Sequence, residues 1–223
     1  MADRSGAANA AIRVWDLPVR LVHWLMVLLI PFSWWSAEND EMSLHRLSGY
    51  VLLGLLLFRL VWGFVGSEPA RFSRFVRGPA AVRRYLRGDR AGLALGHNPL
   101  GGWSVVAMFA VLALQIVFGL FSVDEDGLES GPLSYLVSFE TGRTMHELHH
   151  NNFWLLLGLI LVHVAAILWY LLVRRDNLIA AMITGRTRGS AGDDSPAMAP
   201  SWRAPIVLLA AAAVAWFVAR GLR

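Results

Sequence analysis

The sequence predicts an all-α membrane protein: a four-helix transmembrane bundle followed by a fifth hydrophobic helix at the C-terminal end. The first observation is composition, since 56% of the 223 residues are hydrophobic and only 16% are charged, whereas soluble domains carry about 25% charged residues. Mean hydropathy is +0.50. The second observation is a set of five apolar segments, and the third is the placement of histidines within them.

The apolar segments supply the predicted helices. Their approximate bounds are residues 17–36, 44–65, 101–122, 150–173 and 203–219. Each of the first four has about 20 residues, enough to cross a hydrocarbon core about 30 Å thick. The fifth is shorter, Ala-rich and preceded by a Gly/Ser/Asp/Pro-rich stretch. We therefore divide the chain into a bundle over residues 12–188, a linker over 189–200, and an extra transmembrane or interfacial helix over 201–223.

Charge alternates between the predicted loops. All 20 basic residues are arginine, and they concentrate before the first segment, in the 66–100 loop and after the fourth segment, whereas the 37–43 and 123–148 loops are mainly acidic. This alternation predicts a cytoplasmic N-terminus. It also explains the sequence pI near 10.3 without a nucleic-acid partner. In the 66–100 loop, arginines alternate with Phe72 and Phe75, which predicts an amphipathic helix lying on anionic lipid.

Cysteine is absent from the chain. Disulfides, iron–sulfur clusters, thiolate-bound zinc and haem attached covalently to cysteine are therefore excluded. Any haem must be bound non-covalently.

Four histidines in the apolar segments predict two ligand pairs. His149 and His163 are fourteen residues apart, so on one helix they lie about 40° apart in angle and about 21 Å apart along the axis. The predicted topology puts His23 near the cytoplasmic face and His45 near the outer face. His23 can then meet His163, and His45 can meet His149, each pair gripping one haem iron. An ionisable residue inside a membrane span is costly and is a functional candidate by default.

Other histidines fit this pattern less well. His146 and His150 point about 100° and 140° away from His163, and we assign both, with His97, to the membrane interface. Zinc is the main rival to haem, but a structural zinc requires four ligands at one point and a catalytic zinc three. Each predicted pair offers two donors, the number of axial ligands that a haem iron takes.

Three arginines and a glycine extend the predicted haem sites. Arg59 shares a helix face with His45 and lies beside the His23/His163 site, while Arg20 lies one turn before His23. Either can bind haem propionates with its guanidinium fork or extend to the lipid headgroups. Arg46 can contact the outer haem, and Gly49 lets a flat macrocycle approach the backbone. The other glycines of the apolar segments are assigned mainly to helix–helix packing.

Several motifs resemble the bacterial cytochrome b561 family and the related b-type subunit of nickel–iron hydrogenases. They are residues 15–24 (WDLPVRLVHW), 45–50 (HRLSGY), 58–66 (FRLVWGFVG), 96–103 (GHNPLGGW) and 175–185 (RDNLIAAMITG). Together they cover roughly residues 12–188. The chain departs from the family pattern in having three histidines over residues 145–150, where the pattern needs one, and in its fifth hydrophobic segment.

The resemblance implies a multi-pass protein of the bacterial inner membrane that holds two non-covalent b haems. The matching ligand positions are His23, His45, His149 and His163. It also implies a place in a respiratory chain, with electrons exchanged with a quinone, ubiquinone or menaquinone, and with a protein such as a c-type cytochrome or a hydrogenase. A homodimer is compatible with this interpretation.

The leading functional hypothesis is an electron carrier rather than a stand-alone enzyme, because bis-histidine iron has no vacant position for oxygen activation. A second hypothesis is a superoxide oxidase that reduces quinone, which requires cations at the outer face; Arg46 and Arg143 are the local ones. A third is a haem-free transporter that uses its histidines as proton relays.

Overall fold

The computed structural model describes residues 11–88, 99–188 and 196–222. The helices are α1 (Leu17–Glu38), α2 (Met42–Val65), α3 (Phe72–Phe75), α4 (Pro79–Leu86), α5 (Pro99–Phe121), α6 (Phe139–Leu172), α7 (Leu178–Thr184) and α8 (Arg203–Ala219). Short 3-10 turns occur at Glu68–Ala70 and Ser134–Leu136, and two strands at β1 (Ala11–Arg13) and β2 (Arg186–Arg188). Within the described residues, α1, α2, α5 and α6 are long and apolar enough to span a membrane, which confirms the predicted four-helix bundle.

The four spanning helices pack into a bundle. α1 packs on α2, α2 on α5, and α5 on α6. α6 returns to α1, where the rings of Trp34 and Phe153 stack with their centroids 5.9 Å apart. We call the end that carries residues 39–41 and 122–138 the acidic end. The opposite end, which carries residues 66–88 and 173–188, is the basic end.

A buried carboxylate begins α1 and fastens it to α2. Asp16 caps the helix, since its Oδ1 accepts a hydrogen bond from Val19 N at 2.9 Å. Its Oδ2 accepts from Trp62 Nε1 of α2 at 2.8 Å. Asp16 and Trp62 are both buried. The residue that caps α1 therefore also holds the basic end of α1 against that of α2.

α6 begins earlier than the sequence predicts. The apolar segment starts near residue 150, but the helix starts at Phe139, where Ser138 Oγ accepts from Thr141 N at 3.2 Å. With 34 residues it is about 51 Å long. Hydropathy detects only the apolar part of such a helix, whereas the N-cap sets its true start. The last ten residues of the predicted acidic loop, 139–148, are therefore helical.

α8 lies along α2 and is attached at both ends of the bundle. Gly54 of α2 faces Ala215, where a Cβ added to the glycine would lie 3.5 Å from the alanine Cβ. At the basic end, the chain before α8 forms hydrogen bonds with Glu68. At the acidic end, Tyr135 Oη donates to Gly221 O at 2.7 Å. Of the predicted linker, residues 189–195 lie outside the described residues.

A small antiparallel sheet departs from the all-α prediction. β1 pairs with β2, with Ile12 opposite Thr187. The pairing follows from the end of α7, where Gly185 adopts a left-handed φ of 78° and its carbonyl accepts from Val14 N at 2.9 Å. The hydrogen bond between Val14 and Gly185 thus brings the extended segments β1 and β2 side by side.

Two phenylalanines of the segment after α2 pack against the protein. Phe75 is 2% exposed, and the ring of Phe72 lies against Gly63, where a side chain would have no room. Phe75 is therefore turned inward, contrary to the prediction, while Phe72 is half-buried against α2.

Candidate functional site

The structure brings His45 of α2 and His149 of α6 together near the acidic end. Their ring centroids are 5.8 Å apart and their planes are almost perpendicular, at 88°. His45 Nδ1 lies 2.8 Å from the backbone oxygen of Ser33, and His149 Nδ1 lies 2.8 Å from that of Gln115. A carbonyl oxygen only accepts hydrogen bonds, so each Nδ1 carries the proton and each Nε2 keeps its lone pair for a metal.

His23 of α1 and His163 of α6 form a second pair toward the basic end. The two imidazoles are close enough to interact electrostatically. The Nδ1 of His23 is buried, and no hydrogen-bond partner for it exists in the described part of the chain. Because a buried polar atom without a partner is costly, this nitrogen is suited to a group that the chain itself does not supply.

The other described histidines stand apart from these pairs. His146 is exposed and its Nδ1 lies 3.1 Å from Ser122 Oγ, while His150 is exposed beside Trp154. His149 is therefore the histidine of this cluster that faces His45. His97 lies outside the described residues. Among residues 11–88, 99–188 and 196–222, no three His, Asp or Glu side chains form a metal-binding group.

Among the three arginines predicted to contact haem, Arg59 has a buried N–H group without a hydrogen-bond partner among the described residues. It is 4% exposed, and its guanidinium carbon lies 5.4 Å from the ring centroids of both Phe72 and Phe109. Its Nη1 is buried without a hydrogen-bond partner among the described residues. A guanidinium held between two aromatic faces with a free N–H is well placed to bind a carboxylate.

The other two arginines are engaged elsewhere. Arg20 Nε donates to Met182 O at 3.2 Å, and its Nη2 donates to Ile183 O, so it satisfies carbonyls at the end of α7. Arg46 forms an ion pair with Glu129 of the loop between α5 and α6. Gly49 faces open space, since a Cβ added there would meet no atom within 4 Å.

Two residues that position His149 were missed from the sequence. Gln115 Nε2 donates to the backbone oxygen of His149 at 2.9 Å, and its Oε1 accepts from Asn152 Nδ2 at 2.7 Å. Gly119 leaves space for the imidazole, because a Cβ there would lie 2.9 Å from His149 Cε1. The available signal was an amide in the apolar part of α5 and another in that of α6, where polar side chains form interhelical bonds.

These features fit haem. Two pairs of imidazoles can each supply both axial ligands, with two of the four Nδ1 atoms fixed by carbonyls. A buried guanidinium offers a donor for a propionate, and the space beside Gly49 is open to a planar ring. The residues that would hold the groups are thus His23, His45, His149 and His163, with Arg59 as the propionate partner.

Comparisons with known proteins identify similar b-type cytochromes. The family model described as prokaryotic cytochrome b561 matches residues 14–185. Probable Ni/Fe-hydrogenase B-type cytochrome subunits of Azotobacter chroococcum mcd 1 and Azotobacter vinelandii are each 28% identical, over 79% of this chain and 88% of the relative. Probable Ni/Fe-hydrogenase 1 B-type cytochrome subunit of Escherichia coli strain K12 is 25% identical, over 77% and 88%.

No solved structure matches the chain. The family match covers most of the sequence, including all four paired histidines and the four spanning helices that carry them. The chain therefore belongs to the prokaryotic cytochrome b561 family, as a bacterial membrane b-type cytochrome that functions in electron transfer.

Proposed function

We propose that the protein carries electrons across the membrane, between a membrane quinone and a redox partner protein, with two haem b groups. His23 and His163 hold one haem, and His45 and His149 hold the other. The observation that carries this proposal is the division of four imidazoles into two pairs, whose α6 members lie about 21 Å apart along the helix axis. Two redox positions at different depths are what electron transfer across a hydrocarbon barrier requires.

When bound, haem b supplies a one-electron ferric/ferrous couple. The chain's contribution is its histidines: two imidazoles would hold each haem, which would favour electron transfer over reaction with oxygen. The bonds from His45 Nδ1 to Ser33 O and from His149 Nδ1 to Gln115 O orient the rings and increase the basicity of each Nε2. Arg59 supplies a positive charge for a propionate of the haem near the basic end.

The distribution of arginine supports an orientation with the basic end in the cytoplasm. The acidic end then faces outward and is the docking surface for the redox partner. Some relatives are named as hydrogenase subunits, so a hydrogenase-like protein is one candidate, and a basic c-type cytochrome is the other. The acidic loop that would attract a basic surface contains the exposed Glu125 and Asp126 and the half-buried Asp124.

The two other functional hypotheses are less well supported. Superoxide oxidation needs free cations near the outer haem, but Arg46 is paired with Glu129, and Arg143 Nη2 lies 3.6 Å from Glu125 Oε1. The haem-free transporter is wrong for this chain, because the family is one of b-type cytochromes.

Reconstituted protein tests the proposal directly. The purified protein should contain two haem b groups per chain by pyridine haemochrome assay. Proteoliposomes with ferricyanide inside should bleach when dithionite is added outside, and a quinol should reduce the oxidised protein in stopped-flow absorbance. Liposomes with the His23→Ala/His45→Ala double variant are the control. A single haem per chain, or bleaching equal to that control, would contradict the proposal.

Gln115→Leu is expected to loosen the haem near the acidic end. The change removes the side-chain bonds from Gln115 to His149 O and Asn152. These bonds hold α6 against α5, and without them the His149 ring is no longer held at a fixed distance from the backbone oxygen of Gln115, its own partner. Loss of such supporting contacts costs roughly tenfold or more in metal affinity. Haem titration of the apoprotein and the low-spin EPR signals should show one haem altered and the other unchanged. Asn151→Leu, at an exposed position beside Asn152, is the matched control, and an equal effect there would refute the role of Gln115.

A further inference from the structure

A groove of about 490 Å³ lies at the basic end, between the last turn of α2 and the first turns of α8. Phe64 of α2 and Ile206 of α8 form its apolar walls, with Trp202 at the start of α8. Arg71 and Arg203 complete it. The groove exists because the C-terminal helix packs on α2, and that helix lies beyond the residues 14–185 that the family model matches.

The two arginines are held in place by the end of α2. Arg71 Nε donates to Gly66 O at 2.9 Å, and Arg203 Nη1 donates to Val65 O at 3.1 Å. Each guanidinium has five N–H donors, and each uses a single one of them on the described residues. Neither forms an ion pair with a described carboxylate. The groove therefore presents two fixed positive charges with free donors.

The apolar walls are open to the surroundings. Phe64 is 72% exposed, Ile206 58% and Trp202 60%. At the end of a membrane helix, such side chains contact acyl chains, and a tryptophan ring lies at the headgroup level. The arginines are at this same level, because they contact the last carbonyls of α2. The arrangement of positive charge and apolar surface is thus complementary to an amphiphile with an anionic head.

We propose that this groove binds an anionic phospholipid. The phosphate lies between Arg71 and Arg203 as a charge-assisted acceptor, and an acyl chain runs along Phe64 and Ile206. A zwitterionic lipid binds more weakly, because its ammonium group brings a positive charge toward the two guanidinium groups. A quinone lacks the negative charge that the two arginines match.

Native mass spectrometry of the intact haem-loaded protein tests the site, with phosphatidylglycerol as the probe and phosphatidylcholine as the neutral comparison. Arg71→Gln/Arg203→Gln should reduce phosphatidylglycerol binding roughly 10- to 30-fold. The control, Arg83→Gln/Arg87→Gln, removes the same charge from exposed positions in and just after α4 and should leave binding within about twofold.

Ile206→Trp provides a second test that retains both arginines. The larger side chain fills the apolar wall and should also weaken phosphatidylglycerol binding, while circular dichroism and the haem-to-protein ratio stay unchanged. Equal losses in the two arginine double variants would show general surface attraction and overturn the proposal. Equal affinity for phosphatidylcholine, or a quinone retained in the groove instead of lipid, would overturn it as well.

Discussion

Replacing His163 with alanine is expected to remove about half of the bound haem, and replacing His149 should do the same. Each variant would remove one of the two histidines that hold one haem and leave the other pair intact, so that haem would lose half of its protein ligands. The double variant should be almost colourless. Pyridine haemochrome assays and reduced-minus-oxidised spectra of purified protein measure the remaining haem against protein concentration.

His150→Ala is the matched control for these substitutions. It removes the same imidazole from the neighbouring position of α6, but this side chain is exposed beside Trp154, and the haem content should not change. If His163→Ala retained full absorbance, the assignment of that pair would fail. If His150→Ala lost as much haem as His149→Ala, the outer ligand would have been misassigned.

Gly119→Ala is expected to lose most of the haem near the acidic end, although it adds a single methyl group. The new Cβ would lie 2.9 Å from Cε1 and 3.0 Å from Nδ1 of His149, closer than such atoms approach. The imidazole must therefore move, and its bond to the backbone oxygen of Gln115 is lost or distorted. Haem content should fall toward half, with the signal of the basic-end haem unchanged in EPR.

Gly158→Ala is the appropriate comparison, because a Cβ at this position of α6 meets no atom within 4 Å. Replacing a helical glycine with alanine typically stabilises a helix by about 0.5–1 kcal/mol. This variant should keep both haems and unfold at the same or a slightly higher temperature. Full haem retention in Gly119→Ala would show that His149 does not require the position that the structure gives it.

The positions of the four histidines could be predicted because they depend on quantities that a sequence contains. Helix periodicity sets the angle and rise between His149 and His163, and the alternation of charge sets which end of each helix carries His23 and His45. The structure brings together the pairs that these two rules indicate.

Contacts made across helices could not be predicted in the same way. Gly119 seemed a packing residue, and its relation to the His149 ring depends on how closely α5 and α6 approach. Arg20 has the spacing of a haem contact, yet α7 folds back and offers carbonyls to its guanidinium. Phe72 has the pattern of a lipid-facing residue, and its contact with Arg59 appears only once the chain after α2 turns inward.

The arginine between two phenylalanines also shows what a sequence pattern leaves out. Spacing placed Arg59 on the same face as His45, but it could not distinguish a side chain that extends to the headgroups from one that is buried. Burial with an unused N–H separates these cases, because such a donor needs a partner.

The attachment of α8 at both ends has a consequence for the surrounding bilayer. Its 17 residues extend about 25 Å, less than a hydrocarbon thickness of about 30 Å. A free helix could adjust by shifting along the membrane normal, but hydrogen bonds on both sides hold this one at a set depth. Were this helix to cross the membrane, the lipids around it would have to thin locally, at a cost of fractions of a kcal/mol per Å of hydrophobic mismatch. This face of the protein would then gather lipids with shorter acyl chains than the rest of its circumference.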